Sequence, residues 1–383
     1  MKDSRLSIAA DPRFSPGRSI VLRYRKSGLQ DLPARELAAA SLREGARIVP
    51  LLEHGGVPIY ALDETSLMAT HSFEAALAAV TIAHCRRLGH KKIIFSSGGN
   101  LGTALAAYAR HSRLKACSFN PLDNMPYLDD GIFSQPGICL AGVAEAQQTR
   151  AMALRFRLRL RRALGYDPLV PKMEWRFAAF APRAFFIREF AQARKISFAS
   201  ISQTISAGFG PLAIYRVLRR LPGPLPAFLG VQQAANAYMY RRWSGVKPAS
   251  NGRLLIPTLF DLNPDRTFGT YAELARVLKA SAGAITTVDE AEFGRYISAR
   301  VLRALARYGL KPTMKGGEPL ARSGLVALAG TLKAIDAGIL RRGPALVCLT
   351  DGVRPPWRPA RPAAVIRDGR DLDRLAEKFL EEP

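Results

Sequence analysis

The sequence predicts an α/β protein built from two doubly wound parallel-sheet domains, and three observations carry that prediction. Short apolar runs that read as buried strands alternate with Ala/Leu-rich segments of helical period. Glycine-rich turns join a strand to a helix at two places. The 383 residues suffice for two domains, each with its own core.

The elements follow in chain order. Lys91 to Ser96 (KKIIFS) reads as a strand, Ser96-Ser97-Gly98-Gly99-Asn100 as a turn, LGTALAAYAR as a helix and KACSF as the returning strand. The run RAMALRFRLRLRR (150 to 162) alternates Arg with Leu or Phe, which locally suggests a strand, but its flanks predict a helix. The strand–turn–helix unit recurs at SFASISQTI (197 to 205), SAGFG and PLAIYRVLRRL, with the apolar strand AFLGVQ close behind. Later come the strand GAITTV, an Asp289-capped helix through about Arg307, a helix from about Ser323 to Ala337, and the strand ALVCLT (345 to 350). Residues 221 to 265, rich in Pro, Gly and Asn, otherwise read as irregular connection. The Pro/Arg-rich tail from Pro355 to Pro362 is expected to pack outside the main sheet.

Composition narrows the function classes. Fifty-six Lys and Arg against 31 Asp and Glu give a formal charge of +25, and 43 of the 56 are Arg. Such a field attracts anions: nucleic acid, an acidic lipid surface, or a phosphorylated or carboxylated small molecule. The arginines are spread along the chain, and the dense 150–162 run offers only Phe156 as a stacking platform, so nucleic-acid affinity is expected to be non-specific at most. Four Cys stand far apart with no CxxC, and the five His never reach metal-ligand spacing. Neither a disulfide framework nor a metal site is therefore expected, and a cytoplasmic location is. No apolar run approaches the roughly 18 residues of a membrane span, so no membrane partner is expected.

The two glycine turns are the main chemical signal. Backbone N–H groups at a helix N-terminus, aided by the helix dipole, favour a carboxylate or phosphate. Ser97-Gly98-Gly99-Asn100 and Ala207-Gly208-Phe209-Gly210 both offer this, although Pro211 has no N–H to give. Taken singly, each turn is equally explained by glycine permitting a tight strand-to-helix connection.

Together with their neighbours the turns have a wider likeness. Residues 66 to 110, with His71-Ser72-Phe73-Glu74 opening a helix and Ser97-Gly98-Gly99-Asn100 following a strand, resemble the pyridoxal-phosphate enzymes of the tryptophan synthase β type, particularly threonine and cysteine synthases. The stretch 205 to 216 resembles that family's phosphate loop, and Leu349-Thr350-Asp351-Gly352 its late strand end. The likeness runs in order over about residues 50 to 355. It implies a tryptophan synthase β-like fold with a cleft between a small domain (76–172) and a large one (1–75 plus 173–383). It also implies a homodimer and a lyase or transferase of amino-acid metabolism. By the same likeness Asn100 would contact the cofactor ring oxygen, Ser72, Ser97, Gly98 and Gly99 would bind cofactor or ligand, Ala207, Gly208, Phe209 and Gly210 would belong to the phosphate loop, and Thr350 would face the pyridine nitrogen.

The departures bear directly on chemistry. Glu74 occupies the place of the Schiff-base lysine, and no Lys lies between Lys26 and Lys91. A carboxylate cannot form an imine. His71 stands for a glycine, Gly98 for a Ser or Thr, and Asp351 for a glycine, while Phe209 and Pro211 intrude on the phosphate loop. The cofactor is thus left open: pyridoxal phosphate fits by resemblance, but not as a lysine aldimine at position 74. Three readings stand. One is an enzyme remodelled to act on an anionic small molecule with Glu74 as acid or base. Another is a non-catalytic pseudoenzyme that binds a metabolite or partner. The last is a conventional enzyme using a distant lysine such as Lys315.

Overall fold

The computed structural model describes residues 6–340 and 343–381. Twelve strands are present among them: β1 (Arg47–His54), β2 (Val57–Asp63), β3 (Lys92–Ser96), β4 (Lys115–Pro121), β5 (Ile138–Val143), β6 (Ser200–Thr204), β7 (Ala227–Gln233), β8 (Ala284–Val288), β9 (Met314–Lys315), β10 (Glu318–Pro319), β11 (Ala345–Leu349) and β12 (Ala364–Ile366). They form a six-stranded sheet in the order β1-β2-β11-β6-β7-β8, a four-stranded sheet in the order β12-β5-β4-β3, and the small ribbon β10-β9. Every pair in the four-stranded sheet is parallel, and in the larger sheet only β1 and β2 run antiparallel. Parallel strands need helices on both faces, and β6, β7 and β11 are accordingly buried at every residue.

The predicted strand–turn–helix units are present, the first as β3 followed by the helix Asn100–His111, the second as β6 followed by the helix Phe209–Leu218. The Arg-rich run lies within the helix Thr149–Leu164. Met152, Ala153, Phe156 and Leu160 form its buried stripe at helical spacing, while Leu158 stays 64% exposed. The apparent alternation thus comes from one leucine that faces water.

Three details differ from the sequence reading. The helix predicted from Asp289 to about Arg307 is two: Glu290–Tyr296, started by a capping box of Asp289 and Glu292, and Ala299–Arg307, after a break at Ile297-Ser298. The 221–265 connection holds two helical segments, Ala234–Asn236 and Tyr238–Ser244, besides its strand. The C-terminal stretch does not stay with the larger sheet, as a 173–383 domain would have it. β12 pairs with β5, and Leu372, Leu375 and Phe379 of the helix Gly369–Glu381 join Ile94, Phe119 and Phe156 in one apolar cluster over the four-stranded sheet. Burial of that helix's apolar face decides the placement. No helix among the described residues is long and apolar enough to cross a membrane.

Candidate functional site

Loops leaving the carboxyl ends of β3, β6 and β11 converge on the start of the helix Glu74–Arg87. The Phe73 N–H donates to the Thr350 carbonyl at 3.1 Å, which pins that helix start to the end of β11. A cavity of about 190 Å³ lies among them. Of the residues singled out in the sequence, Glu74, Asn100, Ala207, Gly208, Phe209, Gly210 and Thr350 line it. Ser72, Ser97, Gly98 and Gly99 do not line it. A roomier groove of about 530 Å³ runs between β5, β12 and the C-terminal helix, but it contains no residue of either glycine turn.

The first turn is occupied by its own protein. The Ser97 hydroxyl accepts from the N–H groups of Gly99 (3.0 Å) and Gly102 (2.9 Å), and the Asn124 amide donates to the Gly98 carbonyl at 2.6 Å. Thr258 sits directly on the glycines: a Cβ on Gly98 would fall 1.9 Å from the Thr258 carbonyl oxygen, and one on Gly99 2.6 Å from its Cγ2. Asn100 is held at both ends. Its Nδ2 donates to Asp351 Oδ2 at 2.9 Å, and its Oδ1 accepts from Arg354, which also ion-pairs with Asp351 at 3.0 Å.

The second turn is open. Gly208 has φ +78°, a left-handed conformation that suits glycine, and it caps the helix Phe209–Leu218. The N–H groups of Phe209 and Gly210, in the first turn, have no intrahelical acceptor. Beneath Gly210 lies a buried ion pair: Arg183, 1% exposed, donates twice to Glu64 at 2.6 Å and once to Gln203 at 3.0 Å. A Cβ on Gly210 would fall 2.4 Å from Gln203 Nε2, so only glycine leaves room for this support.

Glu74 is the first residue of its helix, and its buried Oε2 has no hydrogen-bond partner. Loss of water, reinforced by the nearby charge of Asp351, pushes its carboxyl up to about 8, against smaller pulls from Ser72 and Arg354. Near neutral pH these influences favour the protonated carboxyl. His71 has φ +53°, a left-handed backbone that glycine adopts without strain. Burial and the charges of Arg354 and Arg43 hold its imidazole below the ordinary histidine value.

Several lining groups escaped the sequence reading. Arg176, Phe180, Gln203, Thr258 and Phe268 belong to no motif, and only the folded chain brings them together. Asp351 carried a warning, standing where the family has glycine, but its bond to Asn100 spans the two sheets.

The residues present do not fit pyridoxal phosphate held as a lysine imine. Among the described residues lining the cavity none is a lysine, and Lys315 is exposed on the β9–β10 ribbon. The Asn100 amide, which the resemblance would turn towards a cofactor ring, is already engaged by Asp351 and Arg354.

Two parallel sheets with glycine loops at their facing ends define the fold-type II architecture of pyridoxal-phosphate enzymes, and the chain has that fold. It is similar to threonine synthase from Escherichia coli (14% identity, TM-score 0.64, covering 97% of this chain and 81% of that one). It is also similar to the processed threonine deaminase isoform 2 of Solanum lycopersicum (14%, TM-score 0.59, 98% and 97%) and to the threonine synthase of Brucella melitensis, solved with bound pyridoxal phosphate (13%, TM-score 0.62, 94% and 87%). No protein-family model matches the sequence, and no curated protein does.

Proposed function

We propose that this protein is a small-molecule enzyme of amino-acid or specialised metabolism that acts on an anionic substrate without a lysine aldimine, with Glu74 transferring the proton. The observation that supports this most is the buried, unpartnered Oε2 of Glu74 in the wall of the cavity. A carboxyl that keeps its proton near neutral pH can give it to a bound ligand and take it back, because its affinity is matched to the working pH. Arg354 and Arg183 lie within electrostatic reach and favour the carboxylate left behind. The open N–H groups at Phe209 and Gly210 suit the ligand's negative end. Lyase or transferase chemistry and a homodimer belong to this reading by resemblance, and a cytoplasmic setting by the scattered cysteines. Any nucleic-acid binding is non-specific and fades steeply with salt.

The second reading, a non-catalytic binder, draws support from the first turn. Thr258 covers its glycines and Asn100 is bound to Asp351 and Arg354, so half of the family's ligand-facing surface is closed.

The test is infrared titration of the wild type and Glu74→Gln, together with the mass and absorbance of whatever co-purifies. A protonated-carboxyl band that persists at pH 7 and is lost in the variant is expected. The same titration has a stability counterpart. Because the folded carboxyl binds its proton more tightly than the unfolded one, wild-type stability should fall as pH rises from the ordinary 4.5 towards about 8, and Glu74→Gln should flatten that fall. Absence of the band at pH 7 refutes the proton-transfer role. Incubation with pyridoxal phosphate followed by borohydride should label no wild-type lysine stoichiometrically, and one labelled lysine would overturn the lysine-independent reading.

A further inference from the structure

We propose that Cys117 and Cys139 are a redox pair that hydroperoxides convert to a reversible cross-strand disulfide, Cys139 being oxidised first and Cys117 resolving it. Neither cysteine lines the cavity at Glu74, so the pair stands apart from that site.

The two residues are distant in the chain, but the pairing of β4 with β5 makes them direct neighbours. Cys117 lies opposite Cys139 in the parallel ladder, between the Ala116–Ile138 and Ser118–Leu140 pairs. Both face the same layer. Cys117 and Phe119 on β4, and Ala141 and Val143 on β5, belong to the apolar cluster under the Thr149–Leu164 and Gly369–Glu381 helices, and Cys139 packs against that cluster. Neighbouring strands run about 4.8 Å apart, inside the roughly 4.4–6.8 Å that separates the α-carbons of a disulfide. The other two cysteines are placed differently: Cys348 lies opposite Leu62, and Cys85 is buried in the Glu74–Arg87 helix.

Access sets the order of reaction. Cys117 is 0% exposed, whereas Cys139 is half-buried and lines the groove of about 530 Å³ between β5, β12 and the C-terminal helix. Among the described residues of that wall, Arg374 and Lys378 outnumber the single carboxylate Asp371, and positive charge favours the thiolate that attacks. The Cys139 sulfur attacks one peroxide oxygen: an S–O bond forms, the O–O bond breaks, and sulfur gives two electrons to the peroxide. With hydrogen peroxide the displaced hydroxide takes the thiol proton and leaves as water. The Cys117 sulfur then attacks the Cys139 sulfur; the S–S bond forms, the S–O bond breaks, and hydroxide leaves as water with the Cys117 proton. Side chains on adjacent parallel strands stand somewhat wider than an unstrained disulfide asks, so thiols should reduce the bridge readily, as suits a regulatory rather than a structural bond. Burial pushes the Cys85 and Cys348 thiols up to about 12, which makes them internal controls.

The experiment treats the folded protein with a small excess of hydrogen peroxide, blocks the remaining thiols after unfolding, and maps the peptides by mass spectrometry. Cleavage at Asp123, Asp129 and Asp130, which lie between the two cysteines, separates them unless the bridge holds them together. Loss of two of the four thiols, a joined Cys117–Cys139 peptide within one chain, and recovery of all four with dithiothreitol are expected. In Cys117→Ala the oxidation should stop at a Cys139 sulfenic acid that dimedone captures, and in Cys139→Ala the Cys117 thiol should survive. Four intact thiols in the treated wild type, a bridge between two chains, a bridge to Cys85 or Cys348, or loss of Cys117 in Cys139→Ala at the wild-type rate would each overturn the pair. The wild-type thiol count and peptide map decide the matter even if a variant fails to fold.

Discussion

At the first glycine turn, Ser97, Asn124, Thr258, Asp351 and Arg354 take up the hydroxyl, amide and backbone groups that would face a ligand; at the second, Phe209 and Gly210 line a cavity. Locally the two segments are alike, each a strand, a glycine pair and a helix. What separates them is supplied from far along the chain. Thr258 reaches the first turn from the segment after β7, while Arg183 supports the second from below and leaves its upper side clear. Whether such a turn is open to a ligand is thus decided by what does not cover it as much as by its own residues.

The largest break in this comparison comes from the support of the second turn. Arg183→Met would strand the Glu64 carboxylate, 0% exposed, without its partner. The expected loss is about 3–5 kcal/mol, measured by denaturant unfolding, with part of it recovered by adding Glu64→Gln. A loss below about 1 kcal/mol would show that the pair is not the turn's foundation.

Next come the glycines themselves. Gly98→Ala meets the Thr258 carbonyl and should cost about 1–3 kcal/mol of overpacking. Gly208→Ala meets nothing closer than 3.8 Å, so its penalty is the left-handed backbone alone, about 1–2 kcal/mol, and its main effect should fall on anion affinity. Equal stability losses in the two variants would mean that the Thr258 seat is soft. The smallest effect is expected at His71. His71→Gly relieves a positive φ but loosens the unfolded chain, so thermal melting should register a net change within about 1 kcal/mol.

Much of this was legible in the sequence because it is local. Strand-length apolar runs, helical stripes and glycine turns announce themselves within a dozen residues, which is why β3, β6 and β11 and the helices after the first two fell where expected. Seven of the proposed site residues line the cavity for the same reason, since each lies close to a strand's end or a helix's start. The closure of the first turn was not legible, because Thr258 and Arg354 are distant in sequence and belong to segments without periodicity. Arg176 was hidden differently: within MEWRFAAF it reads as one more solvated charge among 43 arginines. Only its place in the cavity wall, over the Phe209 and Phe268 rings, sets it apart.

The return of β12 to the smaller sheet has a consequence for the order in which the protein acquires its shape. Ala364 pairs with Ala141, so the outer edge of β5 stays unpaired while the whole larger sheet is being made. A chain emerging from the ribosome therefore carries an open strand edge and the uncovered face of the Thr149–Leu164 helix until its last segment arrives. Six arginines on that helix (150, 155, 157, 159, 161 and 162) would make like chains repel one another during the interval. Charge that looks excessive on the finished molecule would then serve the unfinished one.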